Sequence, residues 1–324
     1  MDKDLEKLNK LSAFAESEDT SSKKSEGRLS PRERLALLFD NGDYKELFKF
    51  AKSSLTEKTF KDGVVCGAGN INGRPALAYA SEYSYQGGSV GRIQADIIMN
   101  LYKLARQSGI PIICLSESAG ARLSDAMHIM EGYAGVMKES VFCSGVIPQI
   151  TAALGYCIGA AAFVATLNDF IIMDKDSALC IAGAGVNKAA TGEDVTEYQI
   201  GGADIHMNHS GGVHFVEKDE SASIERVRQL LEFMPQNNAE APPVIECFDP
   251  EDREEPEVEK ILPQDDVTPF DMKKLIHLFV DNHQFLEIQS GFAPNVIIGF
   301  ARFGGVPVGI AANQPLHLAG SFDC

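Results

Sequence analysis

The sequence is short of positive charge. Its 324 residues carry 29 Lys and Arg against 46 Asp and Glu, a formal net charge of −17. That balance argues against nucleic acid or an anionic membrane surface as a general partner. No apolar run is long and uninterrupted enough to span a bilayer. The polar start, Met1-Asp2-Lys3-Asp4, lacks the apolar core of a signal peptide. Cysteine pairs are missing too. Cys66, Cys114, Cys143, Cys157, Cys180, Cys247 and Cys324 include no Cys-x-x-Cys, which argues against a zinc ribbon. An odd number, mostly within apolar segments, fits buried reduced thiols in a cytoplasmic protein.

What is present is a globular composition, 44% apolar, of a length suited to one large or two ordinary domains. Two glycine/alanine turns stand out, each directly after a short apolar run. Pro111 to Leu115 leads into Ser116-Glu117-Ser118-Ala119-Gly120-Ala121-Arg122, and Ile150 to Leu154 leads into Gly155-Tyr156-Cys157-Ile158-Gly159-Ala160-Ala161-Ala162. Small residues at a strand-to-helix turn expose backbone N–H groups, which hold an oxyanion at ~3–4 kcal/mol per donor in a low-dielectric site. Close helix–strand packing uses the same residues. Two such turns so near each other favour chemistry on a carbonyl.

Strands alternating with helices imply parallel pairing and an α/β architecture. Ser30-Pro31-Arg32-Glu33 has the form of a capped helix start, with the helix running to Phe39 and stopping at Asn41-Gly42. Val64 to Ile71 and Pro75 to Ala80 flank Asn72-Gly73, a hairpin-turn dipeptide. Helical spacing marks Arg92 to Gln107, Ser124 to Lys138 and the stretch around Ile224 to Met234. Strands are expected at Pro111–Leu115, Gln149–Leu154, Phe170–Met173 and Ala178–Ala182. Residues 1 to 27 read as a short helix and a mobile polar tether. From Pro242 to Asp266, five prolines and ten acidic residues face only Arg253 and Lys260, the composition of a solvated linker. A helix from Thr268 to Val280 follows. Val65-x-Gly67-x-Gly69-x-Ile71-x-Gly73-x-Pro75 is then echoed, 232 residues later, by Ile297-x-Gly299-x-Ala301-x-Phe303-x-Gly305-x-Pro307. The same offset carries Gly88-Ser89 onto Gly320-Ser321, so a second copy begins after the linker.

Taken together, these residues resemble the carboxyltransferase (beta) subunit of biotin-dependent acyl-CoA carboxylases and decarboxylases of the propionyl-CoA and methylmalonyl-CoA type. The resemblance runs from Gly27 to the last residue. It rests on Leu29-Ser30-Pro31-Arg32-Glu33-Arg34, Gly87-Gly88-Ser89, Ser118-Ala119-Gly120-Ala121-Arg122, Gly155-Tyr156-Cys157-Ile158-Gly159, Thr191 to Thr196, Ser210 to His214 and, after the linker, Ala293-Pro294-Asn295 and Ala312-Asn313-Gln314-Pro315. It implies two crotonase-like halves: one over 28–241 and, beyond the linker at 242–266, the start of a second over 267–324. It departs from the family's pattern at Tyr156, where proline is usual, at Ala160, where glycine is usual, and near Tyr83-Ser84-Tyr85. Most of the second half is absent, so the expectation is a truncated or split carboxyltransferase.

The implied chemistry is transfer of CO2 between carboxybiotin, held on a separate carrier protein, and the α carbon of a short acyl-CoA. The Ala119 and Gly120 N–H groups would receive the thioester oxygen as it becomes an enolate. Gly87, Gly88, Ser118, Ala121, Gly155, Tyr156, Cys157, Gly159 and Ala160 are the matching substrate-binding positions. Arg122 would bind CoA phosphate or anchor the turn, with anchoring preferred. Implied partners are biotin carboxyl carrier and biotin carboxylase subunits, further copies of the chain, and a second-half polypeptide. Three rival readings stand beside it. Gly155-Tyr156-Cys157-Ile158-Gly159 has the form of a nucleophile elbow, with His206, His209 or His214 as base, although a packing role for Cys157 is preferred. The same histidines have the look of a metal cluster, and Gly183-Ala184-Gly185 mimics a dinucleotide loop but has Lys188 at the third small position and no clear helix after it.

Overall fold

The computed structural model describes residues 5–6, 9–10, 28–51, 62–125, 127–250, 252–265 and 267–322. Most of the tether expected over residues 1–27 lies outside them. The first helix, α1 (Pro31–Leu38), starts as its sequence predicts: Ser30 Oγ accepts the Glu33 N–H, and Glu33 returns the bond to the Ser30 N–H. Strand β1 (Tyr44–Leu47) precedes the hairpin β2 (Val64–Ile71) and β3 (Arg74–Ser81). Asn72 and Gly73 both take positive φ, 52° and 75°, the geometry that a tight hairpin demands. Their N–H groups donate to the Asp40 carboxylate at 3.0 and 2.8 Å, and Arg228 closes the pair onto Asp40 at 2.9 Å.

Next come α2 (Arg92–Ser108), β4 (Ile112–Ser118), α3 (Met127–Cys143), β5 (Gln149–Ile158), α4 (Ala160–Thr166), β6 (Phe170–Asp174), β7 (Ala178–Cys180), α5 (Ala184–Thr191), β8 (Phe215–Glu217) and α6 (Glu220–Phe233). The eight-stranded sheet runs β1-β2-β3-β4-β5-β6-β8, with β7 paired to β5. From β3 to β8 the pairings are parallel, so their C-terminal ends form one edge. Alternation along each strand sorts the core. Ile113, Leu115, Ile150 and Ile172 face α1 and α6 through Leu35, Leu38, Val227 and Leu230. Ile112, Cys114, Leu77 and Tyr79 face α2 and α3 through Ile98, Leu101, Tyr133 and Val136. The sheet is thus covered on both faces, as a parallel sheet requires.

The segment after α6 corrects the reading of a merely solvated linker. The Ile245 N–H donates to Gly305 O, Arg253 donates to Leu278 O at 2.6 Å, and Pro243 O accepts from Arg302 at 2.8 Å. Helix α7 (Met272–Phe279) and strands β9 (Leu286–Ile288), β10 (Val296–Phe303) and β11 (Val306–Asn313) then build a three-stranded sheet. The order of the chain's start recurs here: helix, short 3-10 turn, strand, hairpin, 3-10 turn. So does its anchoring device, since Asp281 accepts the Gly304 and Gly305 N–H groups at 3.0 and 2.7 Å. Phe300 stacks on Phe233, and Arg302 donates to Glu232 O at 2.6 Å, which joins this sheet to α6. Among the described residues no helix is long and apolar enough to cross a membrane.

Candidate active site

The two small-residue turns meet at the C-terminal edge of the sheet. A Cβ placed on Gly159 would lie 3.8 Å from the Gly120 Cα, and one on Gly120 would lie 3.3 Å from Ile158 O. Both glycines take positive φ, 101° at Gly120 and 65° at Gly159, where a side chain would strain the backbone. Segment 87–90 is sewn to the first turn. The Ala119 N–H donates to Gly87 O at 3.0 Å, the Val90 N–H to Gly120 O at 2.9 Å and the Arg122 N–H to Val90 O at 2.9 Å. Ala121 completes the bridge to Val90. Gly88 has no room for a side chain, because a Cβ there would collide with Glu117 O.

This geometry revises the expected donors. The Ala119 N–H is taken by Gly87 O, and the Gly120 N–H donates to Ser118 Oγ at 3.1 Å. Among the described residues the Ala121 N–H of this turn has no acceptor, and further unpaired N–H groups lie in the other turn. Gly159 N–H donates to Cys180 O at 2.8 Å, and Ala162 and Phe163 N–H close back on Gly159 O. Ala160 and Ala161, first in α4, have no acceptor among the described residues, as the opening of a helix leaves them. Sequence reasoning named Ala160 as a lining position and missed it as a donor. The clue was the helix start itself, where i−4 acceptors run out.

Arg122 is an anchor. It is 2% exposed and pairs with Asp62, itself fully buried. Its Nη2 donates to Ser89 O at 2.7 Å, and its guanidinium lies over the Tyr85 ring.

Gly155, Tyr156 and Cys157 do not form a turn, because β5 continues to Ile158. Gly155 is small because the Arg28 guanidinium and Glu117 pass over it, and Glu117 pairs there with Arg28 and, at 2.6 Å, with Arg34. Tyr156 packs its ring on Tyr198, 5.6 Å between centroids. Cys157 is fully buried, 3.2 Å from Ser116 Oγ, and burial pushes its thiol up to about 12. A thiol so held stays protonated at neutral pH and is no nucleophile. Native-state alkylation followed by peptide mass mapping is expected to leave Cys157 unmodified until the chain is denatured.

Two of the three histidines of the other rival readings are committed elsewhere. His206 is engaged by Leu179 O and Ser210 Oγ, both at 2.8 Å. His214 Nδ1 accepts the Ile171 N–H at 3.0 Å, and its ring packs on Phe170. A helix does follow Gly183, contrary to expectation, but its first N–H, of Ala184, donates to Glu197 Oε1 at 3.0 Å. A carboxylate therefore fills the place a phosphate would need. Burial holds the His214 imidazole below its ordinary value of 6.5. Below about pH 6.5 the unfolded chain binds a proton that the folded chain refuses, so stability falls as the solution is acidified. Urea melts at about pH 7 and about pH 5.5 should show that loss, and His214→Gln should reduce it.

Residues 22–324 match the family described as Carboxyl transferase domain. The chain belongs to that family. It is 39% identical over 325 residues to methylmalonyl-CoA decarboxylase subunit alpha of Veillonella parvula, covering 98% of this chain and 64% of the relative. It is 39% identical over 304 residues to the propionyl-CoA carboxylase beta chain of Roseobacter denitrificans, covering 92% and 60%. A crystal structure of transcarboxylase 12S with hydrolysed methylmalonyl-coenzyme A bound superposes at a TM-score of 0.91 with 35% identity, covering 100% of this chain and 65% of that one. The α/β fold is therefore the crotonase-like fold of this family's carboxyltransferases. The chain spans less than two thirds of the length of these relatives.

Proposed function

We propose that the chain forms the acyl-CoA side of a biotin-dependent carboxyltransferase, which moves a carboxyl group between carboxybiotin and the α carbon of a short acyl-CoA through a CoA enolate. The observation that carries this reading is the meeting of the Gly120 and Gly159 turns beside the unpaired N–H groups of Ala160 and Ala161. Those donors are fixed before any substrate arrives, so they stabilise charge on the thioester oxygen without reorganising. The positive φ at Gly120 and Gly159 keeps the floor flat enough for a thioester to approach the backbone. None of the floor residues, Ala119, Gly120, Gly159, Ala160 and Ala161, has a side chain that takes a proton. That fits a reaction whose base comes from outside the chain. Carboxybiotin, on its separate carrier, supplies the carboxyl group and the base when bound. This chain's part is to orient the acyl group, keep its α carbon facing outward and hold the developing oxyanion.

Biotin carboxyl carrier and biotin carboxylase subunits are the partners this reading requires, in the cytoplasm. Leu123, Met127, Met130, Ile181 and Val186, in the segments that follow β4 and β7, are exposed, apolar surface of the kind a protein partner covers, which supports assembly with further copies. A second reading, an acyl-CoA-binding half without turnover of its own, is favoured by β11. The outer edge of β3 pairs with β4, while among the described residues the same edge of β11 has no partner. On this reading residues 267–324 begin a second crotonase-like unit. Calorimetry with short acyl-CoAs, on the chain alone and with a candidate second-half polypeptide, tests both. Turnover by the chain alone supports the first. Binding without turnover, restored by the partner, supports the second. No binding of any acyl-CoA overturns both.

A further inference from the structure

A cavity of about 20 Å³ lies beside the two turns, lined by β3, β4, α2, α3 and α4, with Ser118, Tyr133, Gln94 and Ala161 in its wall. Among the described residues, two buried polar atoms of these side chains have no partner in hydrogen-bond geometry: the Tyr133 hydroxyl and Gln94 Oε1. Both residues are buried, at 5% and 0% exposed. The Gln94 amide is held in its orientation, because Nε2 donates to Gly63 O at 3.3 Å. Ser118, 1% exposed, stands beside the phenol, and its Oγ accepts the Gly120 N–H at 3.1 Å.

We infer that one ordered water occupies this cavity, bound by the Tyr133 hydroxyl, Gln94 Oε1 and Ser118 Oγ, and that Tyr133 is through it a positioning residue for the Ser118–Gly120 turn. A void above roughly 10–15 Å³ admits a water, and buried waters make about three hydrogen bonds. The chemistry of the wall selects water over other occupants. Gln94 Oε1 only accepts, so the occupant must donate to it. The phenol and serine hydroxyls rotate to give or to receive, which a water matches. An alkyl group would leave the amide oxygen unpaired, and an anion would meet it with no cation among the lining residues.

The water acts where the turn is held. Ser118 fixes the Gly120 N–H from one side. On the other side the Gln94 N–H donates to Asp62, the partner of Arg122. The bridge therefore joins the residue before Ala119-Gly120 to the anchor after it. This inference rests on reading that turn as part of the acyl-CoA floor.

A high-resolution crystal structure of the full chain is expected to show a single solvent peak within hydrogen-bond distance of all three groups. No peak, or a peak contacting fewer than two of them, overturns the water. In the assembled enzyme, Tyr133→Phe is expected to lower kcat about tenfold, the worth of one lost hydrogen bond. KM for the acyl-CoA should stay within about twofold, since ground-state binding is not what the bridge serves. An unchanged kcat overturns the positioning role, even if the variant melts earlier. Should Tyr133→Phe not fold, Gln94→Met removes another partner of the same water and is read in the same way. The crystallographic readout does not depend on turnover. A chain inactive on every acyl-CoA would sink the functional reading and leave the water to be judged on its density.

Discussion

Replacing Ala160 by proline is expected to lower carboxyl transfer by about 10²–10³-fold while the fold holds, the effect of deleting one oxyanion donor elsewhere. The substitution removes a single N–H and little else. Ala160 is the first residue of α4, where proline is favoured because that N–H has no helical acceptor. The residue before it is Gly159, at φ 65° and ψ −128°, and glycine adapts to a following proline more easily than any other residue. Circular dichroism and the melting temperature should match the parent, and Ala160→Ser, which keeps the N–H, should retain activity. A folded Ala160→Pro variant with full turnover would move the donor role away from Ala160. The contrast with Ala119 is informative. Its N–H already donates to Gly87 O, so damage there would report on the shape of the loop instead of on a lost donor.

The second large effect is on stability. Arg122→Leu takes the Arg122 guanidinium away from the fully buried Asp62. Breaking a buried pair by removing one partner costs about 3–5 kcal/mol. At roughly 2–4 °C per kcal/mol for domains of comparable size, the melting temperature should fall by about 10 °C. Removing both charges, as Asp62→Leu with Arg122→Leu, should recover much of the loss, because no unpaired charge remains. Thermal melts of the parent, the single and the double variant decide this. If Arg122 gripped CoA phosphate instead, the single variant would melt like the parent and raise KM for every CoA thioester.

How far the residues alone carried the reading depended on the distance over which their chemistry acts. The Ser30–Glu33 capping box, the Asn72-Gly73 hairpin and the amphipathic helix marked over Arg92 to Gln107 were all readable, because each is decided by neighbours a few residues apart. The echoed spacing on either side of the linker was visible in the sequence, and Asp40 and Asp281 each accept two hairpin N–H groups beside it. Strand ends were not readable. Gly155-Tyr156-Cys157 has the composition of a turn, yet pairing with β7 from Tyr156 to Ile158 keeps the strand extended. The linker misled for a similar reason, since its prolines and acids hide backbone contacts made with residues dozens of positions away.

For the site itself, composition located both turns, and the family pattern said that they belong together. Which N–H groups stand free was a matter for the tertiary structure. Gly87 O reaches Ala119 from a loop more than thirty residues upstream, and Cys180 O reaches Gly159 from a strand about twenty residues downstream. A backbone donor is available for catalysis only if no such distant acceptor claims it first. Short-range chemistry therefore determined the turns, caps and hairpins, while packing of remote segments decided that Arg122 is an anchor, that Cys157 is inert and that the Ala121, Ala160 and Ala161 N–H groups are left open.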